Sequence, residues 1–244
     1  MISVVCFKWQ RNQSGFQLPF VCDYGSNHVN ILYNMVKRNL TIPFRFICVT
    51  DNWQGLDENI EVVELWDKCR ELGGCYNRLF VFDPIMKHYL GDKFVCIDLD
   101  CVITGNLDRL FTLQDDFIIN EYPIGKYKHA THQYYNGGLF MMNAGARANV
   151  WNRFNENKQG IISQINARNE GKEKPELVGS DQAVITHILG KGEKVFNQEL
   201  GVYDFMLLPD KNQPPENAKI IFFAGKRDPS QLRNRYKWIK DLWQ

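Results

Sequence analysis

Two carboxylates separated by one residue, Asp98 and Asp100, directly follow a short apolar run. Carboxylates beside a buried strand are costly unless a positive charge compensates them. In an open α/β sheet, ligands bind at the carboxyl ends of the strands. Hard oxygen ligands at that place suit Mg²⁺ or Mn²⁺ bridging a substrate diphosphate. The pair therefore predicts a metal-diphosphate site; the alternative is a solvated turn in which Asp100 caps the next element.

The elements that must position these carboxylates follow from apolar periodicity. Apolar runs bounded by polar residues predict strands at 2–7, 44–50, 60–65, 94–98, 117–121, 138–143 and 219–223. Helical spacing predicts helices at 26–39 with Ser26 as N-cap, at 77–89 with an interruption at Pro84, at 150–157 and at 180–189. The charged stretch 166–175 is predicted to be a surface loop. Strands alternating with helices indicate an α/β fold with a mostly parallel sheet.

Length and composition limit the possible classes of protein. The 244 residues fit one α/β domain, and 44 % hydrophobic residues exclude a disordered chain. A net charge of +1 argues against a surface that binds nucleic acid all over, but it allows a local basic patch. No apolar run is long enough to span a membrane, and seven cysteines without a CxxC pair indicate a reducing compartment. We therefore expect a cytoplasmic protein, in the host cytoplasm if a phage encodes it.

Three further motifs accompany the acidic pair in a fixed order. Asn-Arg-Leu-Phe stands at 77–80, DLDCVITGNLDRL at 98–110, Asn-Gly-Gly at 136–138 and Gly-Ser-Asp-Gln at 179–182. Together these segments resemble GT-A-fold glycosyltransferases, most of all family 8 with glycogenin and bacterial galactosyltransferases, and related bacterial and phage sequences. The likeness runs from Val4 to about Trp243. The absence of GxxxxGK[ST] and GxGxxG loops argues against ATPases and dinucleotide-dependent oxidoreductases.

The resemblance implies a single Rossmann-like GT-A domain, with a nucleotide-binding half at 1–105 and an acceptor-side half at 106–244 ending in a closing helix. It implies that Asp98 and Asp100 hold Mn²⁺ or Mg²⁺ on the donor diphosphate, steadied by Arg78. Asp181 and Gln182 are expected beneath the transferred sugar, and with Arg78 they are the predicted catalytic residues. The other predicted donor-binding residues are Lys8, Trp9, Tyr24, Thr50, Asp51, Leu99, Asn136, Gly137, Gly138, Gly225, Lys226 and Arg227.

The C-terminal motif departs from the family pattern. Family 8 members usually carry a histidine as third metal ligand and a lysine before a proline. Here the corresponding stretch is IIFFAGKRDP at 220–229, so Phe222 or Ala224 stands at the histidine position and Asp228 at the lysine position. We expect Lys226 and Arg227 to supply positive charge to the diphosphate, with the metal or partly in its place. Alternatively, the carboxylate of Asp228 could supply the third ligand of the metal.

The predicted activity is sugar transfer from a nucleoside-diphosphate sugar such as a UDP-sugar to a hydroxyl acceptor. The resemblance implies that the anomeric configuration is retained. The alternative is a non-catalytic nucleotide-sugar-binding protein, which the missing histidine favours. The acceptor is either a cell-surface glycan or a hydroxymethylated pyrimidine in phage DNA. Residues 219–244 hold seven basic residues against two acids, which fits a nucleic-acid or membrane surface as well as a closing helix.

Overall fold

The computed structural model of the chain describes residues 1–9, 24–67, 72–123, 130–225 and 227–244. Within these residues, a central sheet of seven strands forms in the order β3-β2-β1-β4-β7-β6-β8. These strands are β1 (Ile2–Lys8), β2 (Phe44–Thr50), β3 (Glu61–Glu64), β4 (Lys93–Ile97), β6 (Phe117–Glu121), β7 (Tyr135–Asn143) and β8 (Val195–Phe196). A smaller sheet contains β5 (Cys101–Ile103), β9 (Val202–Asp204) and β10 (Ile220–Phe222), in the order β5-β10-β9.

Strand direction decides which side chains share an edge of the central sheet. Strands β1 to β4 are parallel, whereas β7 runs antiparallel between β4 and β6, and β8 is parallel to β6. The carboxyl ends of β1, β4, β6 and β8 therefore lie at one edge, together with the beginning of β7. In the small sheet, the beginning of β5 lies beside the ends of β10 and β9.

Both faces of the central sheet are buried along its middle strands, whereas the edge strand β3 is mostly exposed. Along β1, Val4 and Cys6 pack on one side and Val5 and Phe7 on the other, in two separate clusters of core residues. A strand covered on both faces is apolar at every position, which explains why the sequence showed a continuous run without alternation. The cysteines of the described part, Cys6, Cys48, Cys75, Cys96 and Cys101, are free thiols, and Cys22 and Cys69 lie outside the described residues.

Helices cover the two faces of the central sheet. They are α1 (Ser26–Asn39), α2 (Lys87–Leu90), α3 (Asp108–Phe111), α4 (Ala148–Glu156), α5 (Lys158–Asn169), α6 (Asp181–Leu189), α7 (Pro229–Leu232) and α8 (Lys237–Leu242). The predicted amphipathic face of α1 is buried, including Val29, Leu32 and Val36. No helix in the described ranges has the length and apolar character needed to cross a membrane.

Three predictions about the helices were wrong in detail. Most of 77–89 is a pair of 3-10 helices, Tyr76–Phe82 and Pro84–Met86, because Asp83 adopts an extended conformation and accepts a hydrogen bond from the Ile85 backbone N–H. Ser26 is the first helical residue of α1, and Gly25 occupies the cap position. Residues 166–169 belong to α5 instead of a loop. Asn169 then accepts hydrogen bonds from the backbone N–H groups of residues 176 and 177, which fixes the following turn.

Candidate functional site

A cleft of about 2220 Å³ runs along the edge where the strands end. Asp98, Leu99 and Asp100 lie at its base, between the two sheets. The Asp98 backbone N–H donates to the carbonyl of Gly138 at 2.8 Å, and the Phe223 backbone N–H donates to the carbonyl of Asp100 at 2.9 Å. These bonds fix the acidic segment to β7 on one side and to the end of β10 on the other.

Arg78 joins the acidic segment to the beginning of α6. Its Nε donates to Asp181 Oδ2 at 2.7 Å and its Nη2 donates to the same oxygen, while Nη1 donates to Asp98 Oδ1. Arg78 and Asp181 are 8 % and 4 % exposed. Burial by itself lowers the pKa of Arg78. The nearby carboxylates of Asp181 and Asp98 raise this pKa by more than burial lowers it, so the pKa lies well above its usual value. The guanidinium therefore stays charged and holds both carboxylates in place.

The two glycines of the Asn-Gly-Gly motif leave space for this cluster. A Cβ atom on Gly137 would stand 2.8 Å from Asp181 Oδ2 and 2.9 Å from Arg78 Nη2. A Cβ atom on Gly138 would stand 2.9 Å from Asn136 Oδ1 and 3.2 Å from Asp98 Oδ2. Glycine is therefore favoured at both positions of β7, because a larger residue would have to displace the polar and charged side chains that lie against the backbone.

The start of α6 is fastened to the neighbouring elements by buried polar groups. Ser180 stands at the N-cap position, and its hydroxyl accepts a hydrogen bond from the Cys75 backbone N–H at 2.9 Å, just before the 3-10 helix that holds Arg78. Gln133, fully buried, donates to the carbonyls of Tyr135 and Gln182 at 2.7 and 2.9 Å. Gln182 itself lines the cleft, with its side-chain amide donating to the Val178 carbonyl at 3.0 Å.

Asp100 lies in a strongly negative part of the cleft. Burial, and then the charge of Asp98, raise the pKa of the Asp100 carboxyl well above its ordinary value, while Arg78 opposes the shift and Asp228 adds to it. Asp228 is 5 % exposed and accepts hydrogen bonds from His28 Nε2 at 3.1 Å and from the Ser230 backbone N–H at 2.6 Å. Asp228 is thus held as the cap of α7 behind the cleft, rather than at the cleft surface.

The donor set at Asp98 and Asp100 fits a Mg²⁺ or Mn²⁺ ion shared with a diphosphate. Such ions commonly use one or two protein carboxylates together with substrate phosphates and water. Phe222 lines the cleft at the end of β10, where the resemblance places a third ligand. No group of three or more ligating side chains occurs among the residues that the structure describes. The phosphate oxygens would therefore have to complete the coordination.

The structure places most of the predicted donor-binding residues along the cleft. Lys8, Trp9, Tyr24, Asn136, Gly138, Gly225 and Arg227 line it, in addition to the acidic segment, Arg78, Asp181 and Gln182. Thr50, Asp51 and Gly137 are not among the lining residues of the described part. The Thr50 hydroxyl instead donates to the Asn52 carbonyl at 2.9 Å and stabilises the turn after β2. Lys226 lies outside the described residues.

Sequence reasoning missed some of the residues at the β1 end of the cleft and all of the described polar residues at its other end. Beside β1, Asn52 and Gln54 line the cleft instead of Thr50 and Asp51. At the other end, polar side chains end or follow β6, β8 and β9: Asn120, Glu121, Tyr122, Asn197, Glu199, Tyr203 and Asp204. The signal available for them was their position at strand ends, but β8 and β9 have only two and three residues, too few for a periodic pattern.

The last part of the basic C-terminal segment, residues 233–244, lies apart from the cleft. Trp238, Ile239 and Trp243 are buried in the core, and Arg38 donates to the carbonyls of Leu242 and Gln244. No residue from 233 to 244 lines the cleft. This part therefore ends in the closing helix Lys237–Leu242, and Arg233, Arg235, Lys237 and Lys240 are exposed.

Comparison with known proteins gives similarity in structure but not in sequence. No family model and no curated protein matches the chain. The galactosyltransferase LgtC, solved with donor and acceptor sugar analogs, matches with a TM-score of 0.61 at 13 % identity, over 99 % of this chain and 96 % of LgtC. An active-site mutant of LgtC matches with a TM-score of 0.57 at 13 % identity, over 93 % of this chain and 89 % of that one.

A second glycosyltransferase extends this likeness. GlyE of Streptococcus pneumoniae TIGR4 matches with a TM-score of 0.54 at 12 % identity, over 94 % of this chain and 56 % of GlyE. At such identities the likeness concerns the fold, which agrees with the expected mostly parallel α/β sheet flanked by helices. The chain therefore has the GT-A fold of the glycosyltransferases LgtC and GlyE.

Proposed function

We propose that this chain is a metal-assisted glycosyltransferase that moves a sugar from a nucleoside-diphosphate sugar to a hydroxyl acceptor. The observation that supports this most directly is the Arg78 bridge between Asp98 and Asp181 at the base of the cleft. The cleft volume supports it too, because pockets for one small ligand hold roughly 300–1,000 Å³. At about 2220 Å³, this cleft has room for a donor and an acceptor together.

In this proposal the donor lies along the strand ends from β1 to β7. The nucleoside binds near Lys8, Tyr24 and Asn52, which line the cleft beside β1 and β2. The diphosphate lies over Asp98 and Asp100, and a divalent cation bound there would offset the charge of the leaving group. Arg227, at the cleft surface after β10, contributes a second positive charge. Its Nη1 donates to the Ala224 carbonyl at 3.0 Å, which keeps the guanidinium near this turn.

Arg78 and Asp181 act in this proposal as positioning residues, not as groups that attack the sugar. Two of the arginine nitrogens donate to Asp181 Oδ2 and the third to Asp98, so the guanidinium is occupied by carboxylates. Asp181 is almost completely buried, which makes it a poor nucleophile for a bound sugar. Gln182 lines the cleft next to it, and we assign this amide to the transferred sugar.

The transfer breaks the bond between the anomeric carbon and the diphosphate oxygen, and the bonding electrons leave with the diphosphate. The acceptor hydroxyl oxygen forms the new bond to the same carbon, and its proton passes to the departing diphosphate. The resemblance to family 8 implies that the anomeric configuration is retained in this transfer. Proton NMR of the first product anomer tests this, because retention and inversion give different coupling constants.

The test of the proposed function is a donor screen. UDP-, GDP-, ADP- and dTDP-sugars are added with and without MnCl₂, and thermal stabilisation and nucleotide release are measured. We expect stabilisation by one nucleotide class and slow metal-dependent hydrolysis of its sugar. If no donor stabilises the chain, the proposal is wrong. If a donor binds but its sugar is transferred neither to water nor to any glycan tested, the protein is the alternative, a non-catalytic nucleotide-sugar-binding protein.

For the acceptor, we propose a glycan rather than phage DNA. One support for the DNA alternative was the basic C-terminal segment, and of its described basic residues only Arg227 lines the cleft, while residues 233–244 lie away from it. LgtC was solved with an acceptor sugar analog, and its fold is shared by this chain. Incubation of the active protein with oligosaccharides and with hydroxymethylated DNA separates the two acceptors.

A further inference from the structure

The turn between β10 and α7 forms one wall of the cleft. It begins after Phe223, whose backbone N–H donates to the Asp100 carbonyl at 2.9 Å. The described residues Ala224, Gly225 and Arg227 then line the cleft. Gly225 has a φ of 79°, a left-handed conformation that glycine adopts without strain. The turn therefore starts at the acidic segment and carries the Arg227 guanidinium to the cleft.

The other end of the turn is fixed by Asp228. This residue is buried, and its Oδ1 accepts a hydrogen bond from the Ser230 backbone N–H in α7 at 2.6 Å. Its second carboxylate oxygen, Oδ2, accepts a hydrogen bond from His28 Nε2 of α1 at 3.1 Å. Among the described residues of the stretch 224–230, this is the only side-chain hydrogen bond to another element. Because α7 has only four residues, the His28 bond joins the turn to a much longer helix of the core.

The His28 ring lies between the cleft wall and the C-terminus. Its centroid is 5.1 Å from that of Tyr24, which lines the cleft, and 5.6 Å from that of Trp243. Both contacts are edge-to-face, so a phenylalanine ring of similar shape would make them too. His28 Nδ1 is buried and has no hydrogen-bond partner among the described residues. A buried nitrogen without a partner is destabilising, so the imidazole has an advantage over a phenyl ring only through its bond to Asp228.

The bond between His28 and Asp228 therefore acts on the turn. We propose that His28 and Asp228 are positioning residues for donor binding, because their hydrogen bond holds the turn at the cleft and places the Arg227 guanidinium against the donor diphosphate. This role rests on the proposed glycosyltransferase function. Without the bond, the turn is no longer joined to α1 by a hydrogen bond, and the guanidinium occupies more positions. Its charge-assisted bonds to phosphate oxygens, which depend on placement, then become weaker.

Charge and position have opposite effects at Asp228. Its carboxylate is close enough to Asp100 to raise the pKa of that residue, so it also repels an anionic diphosphate at the acidic segment. If Asp228 acted only through its charge, Asp228→Ser would strengthen diphosphate binding, because a negative charge is removed. If Asp228 holds the turn, the same change weakens that binding. Serine caps α7 with its single oxygen and leaves His28 without an acceptor.

Binding of a nucleoside diphosphate is compared with binding of the nucleoside that carries the same base. UDP, GDP, ADP and dTDP are titrated by calorimetry with MnCl₂ present, and the matching nucleoside is titrated by NMR. We expect His28→Phe and Asp228→Ser each to weaken diphosphate binding by about threefold to tenfold, as for a weakened charge-assisted hydrogen bond. Nucleoside binding should be almost unchanged, because only the diphosphate meets Arg227. The double variant should be no weaker than the weaker single variant, since both changes break the same bond.

Three further variants separate this role from general loosening of the fold. His28→Gln keeps a nitrogen donor and should restore most of the diphosphate affinity that His28→Phe loses. Arg38→Gln is the matched control, because it breaks bonds from α1 to the C-terminal carbonyls about 15 Å further along the same helix. It should leave diphosphate affinity unchanged. In an Arg227→Gln background, His28→Phe should have no further effect, because the side chain that it positions is absent.

The opposite results would overturn this role. They are additive losses in the double variant, tighter diphosphate binding by Asp228→Ser, or an equal loss of nucleoside binding in either single variant. Circular dichroism shows whether each variant is folded. If His28→Phe does not fold, Asp228→Ser in the wild-type and Arg227→Gln backgrounds gives the same comparison. A wild-type protein that binds none of the four nucleoside diphosphates would instead count against the proposed function itself.

Discussion

At the scale of single residues, substitution of Arg78 should have the largest electrostatic effect on stability and activity. It is buried between two carboxylates, and removing one partner from a buried ion pair costs about 3–5 kcal/mol. Arg78→Gln should therefore lower the free energy of unfolding by that amount and lower nucleotide release roughly a hundredfold, since charge-assisted hydrogen bonds to Asp98 and Asp181 are lost. Chemical denaturation and initial rates measure the two effects.

Arg45→Gln is the matched control for this change. Arg45 pairs with Glu61 on the protein surface, where an ion pair contributes about 0.2–1 kcal/mol. Arg78→Lys keeps the positive charge, but lysine has no planar fork with which to bind both carboxylates. The stability and the rate of nucleotide release of this variant should therefore lie between those of the wild type and Arg78→Gln. Equal stability of the Arg78 and Arg45 glutamine variants would contradict the buried bridge.

Asp100 should affect metal-dependent turnover without supporting the fold. The half-buried carboxyl of Asp100 lies beside Asp98, and partial burial followed by the Asp98 charge raises its pKa. Asp100→Asn should abolish Mn²⁺-dependent nucleotide release, because an amide cannot offset a divalent charge, while Tm stays equal to or above that of the wild type. Asp241→Asn, on the exposed face of α8, serves as the control. Near-normal Mn²⁺-dependent release by folded Asp100→Asn protein would exclude Asp100 as a ligand.

At the scale of elements, β7 must pass close to the charged cluster. A Cβ on Gly137 would stand under 3.0 Å from both Asp181 and Arg78, so Gly137→Ala must displace the ion pair. Overpacking of this kind costs about 1–3 kcal/mol. We expect Gly137→Ala to lower the stability by this amount, as measured by thermal unfolding. We also expect a lower kcat with an almost unchanged KM for the donor. A Gly137→Ala protein with wild-type kcat would show that the pair tolerates displacement.

At the scale of the whole molecule, the C-terminus packs on the first helix. Trp243 is 2 % exposed, its ring lies 5.6 Å from that of His28, and Arg38 binds the neighbouring carbonyls. If the chain is one domain, Trp243→Ala should lower the free energy of unfolding by about 3–5 kcal/mol in a single transition. Trp53→Ala, at a side chain 56 % exposed, should change it by less than about 0.5 kcal/mol.

The single-transition prediction is checked by following far-ultraviolet circular dichroism and tryptophan fluorescence in the same denaturant series. Coincident curves support one cooperative unit. Two separated transitions would instead indicate that the halves 1–105 and 106–244 unfold as independent domains. The two core clusters contain residues from both halves, which is the physical reason for expecting coincidence.

The sequence by itself determined the features that depend on neighbouring residues. Continuous apolar runs predicted β1, β2, β4 and β6, and helical spacing predicted α1, because burial and backbone geometry impose these patterns locally. The sequence also predicted that Asp98 and Asp100 lie at the edge of the sheet, because they directly follow the apolar run of β4. Where the local pattern was weak, at 77–89 and at β8 and β9, the prediction failed or was absent.

Only the tertiary structure decided which distant residues meet. Arg78 and Asp181 are 103 positions apart, and His28 and Asp228 are 200 apart, so no local pattern could pair them. The need for glycine at position 137 likewise arises from side chains on two other elements. The far end of the cleft is lined by residues at the ends of β6 and β9 and in the turn after β8, which are separate in the chain and come together only in the folded structure. Such contacts depend on strand order and direction, which a single sequence leaves open.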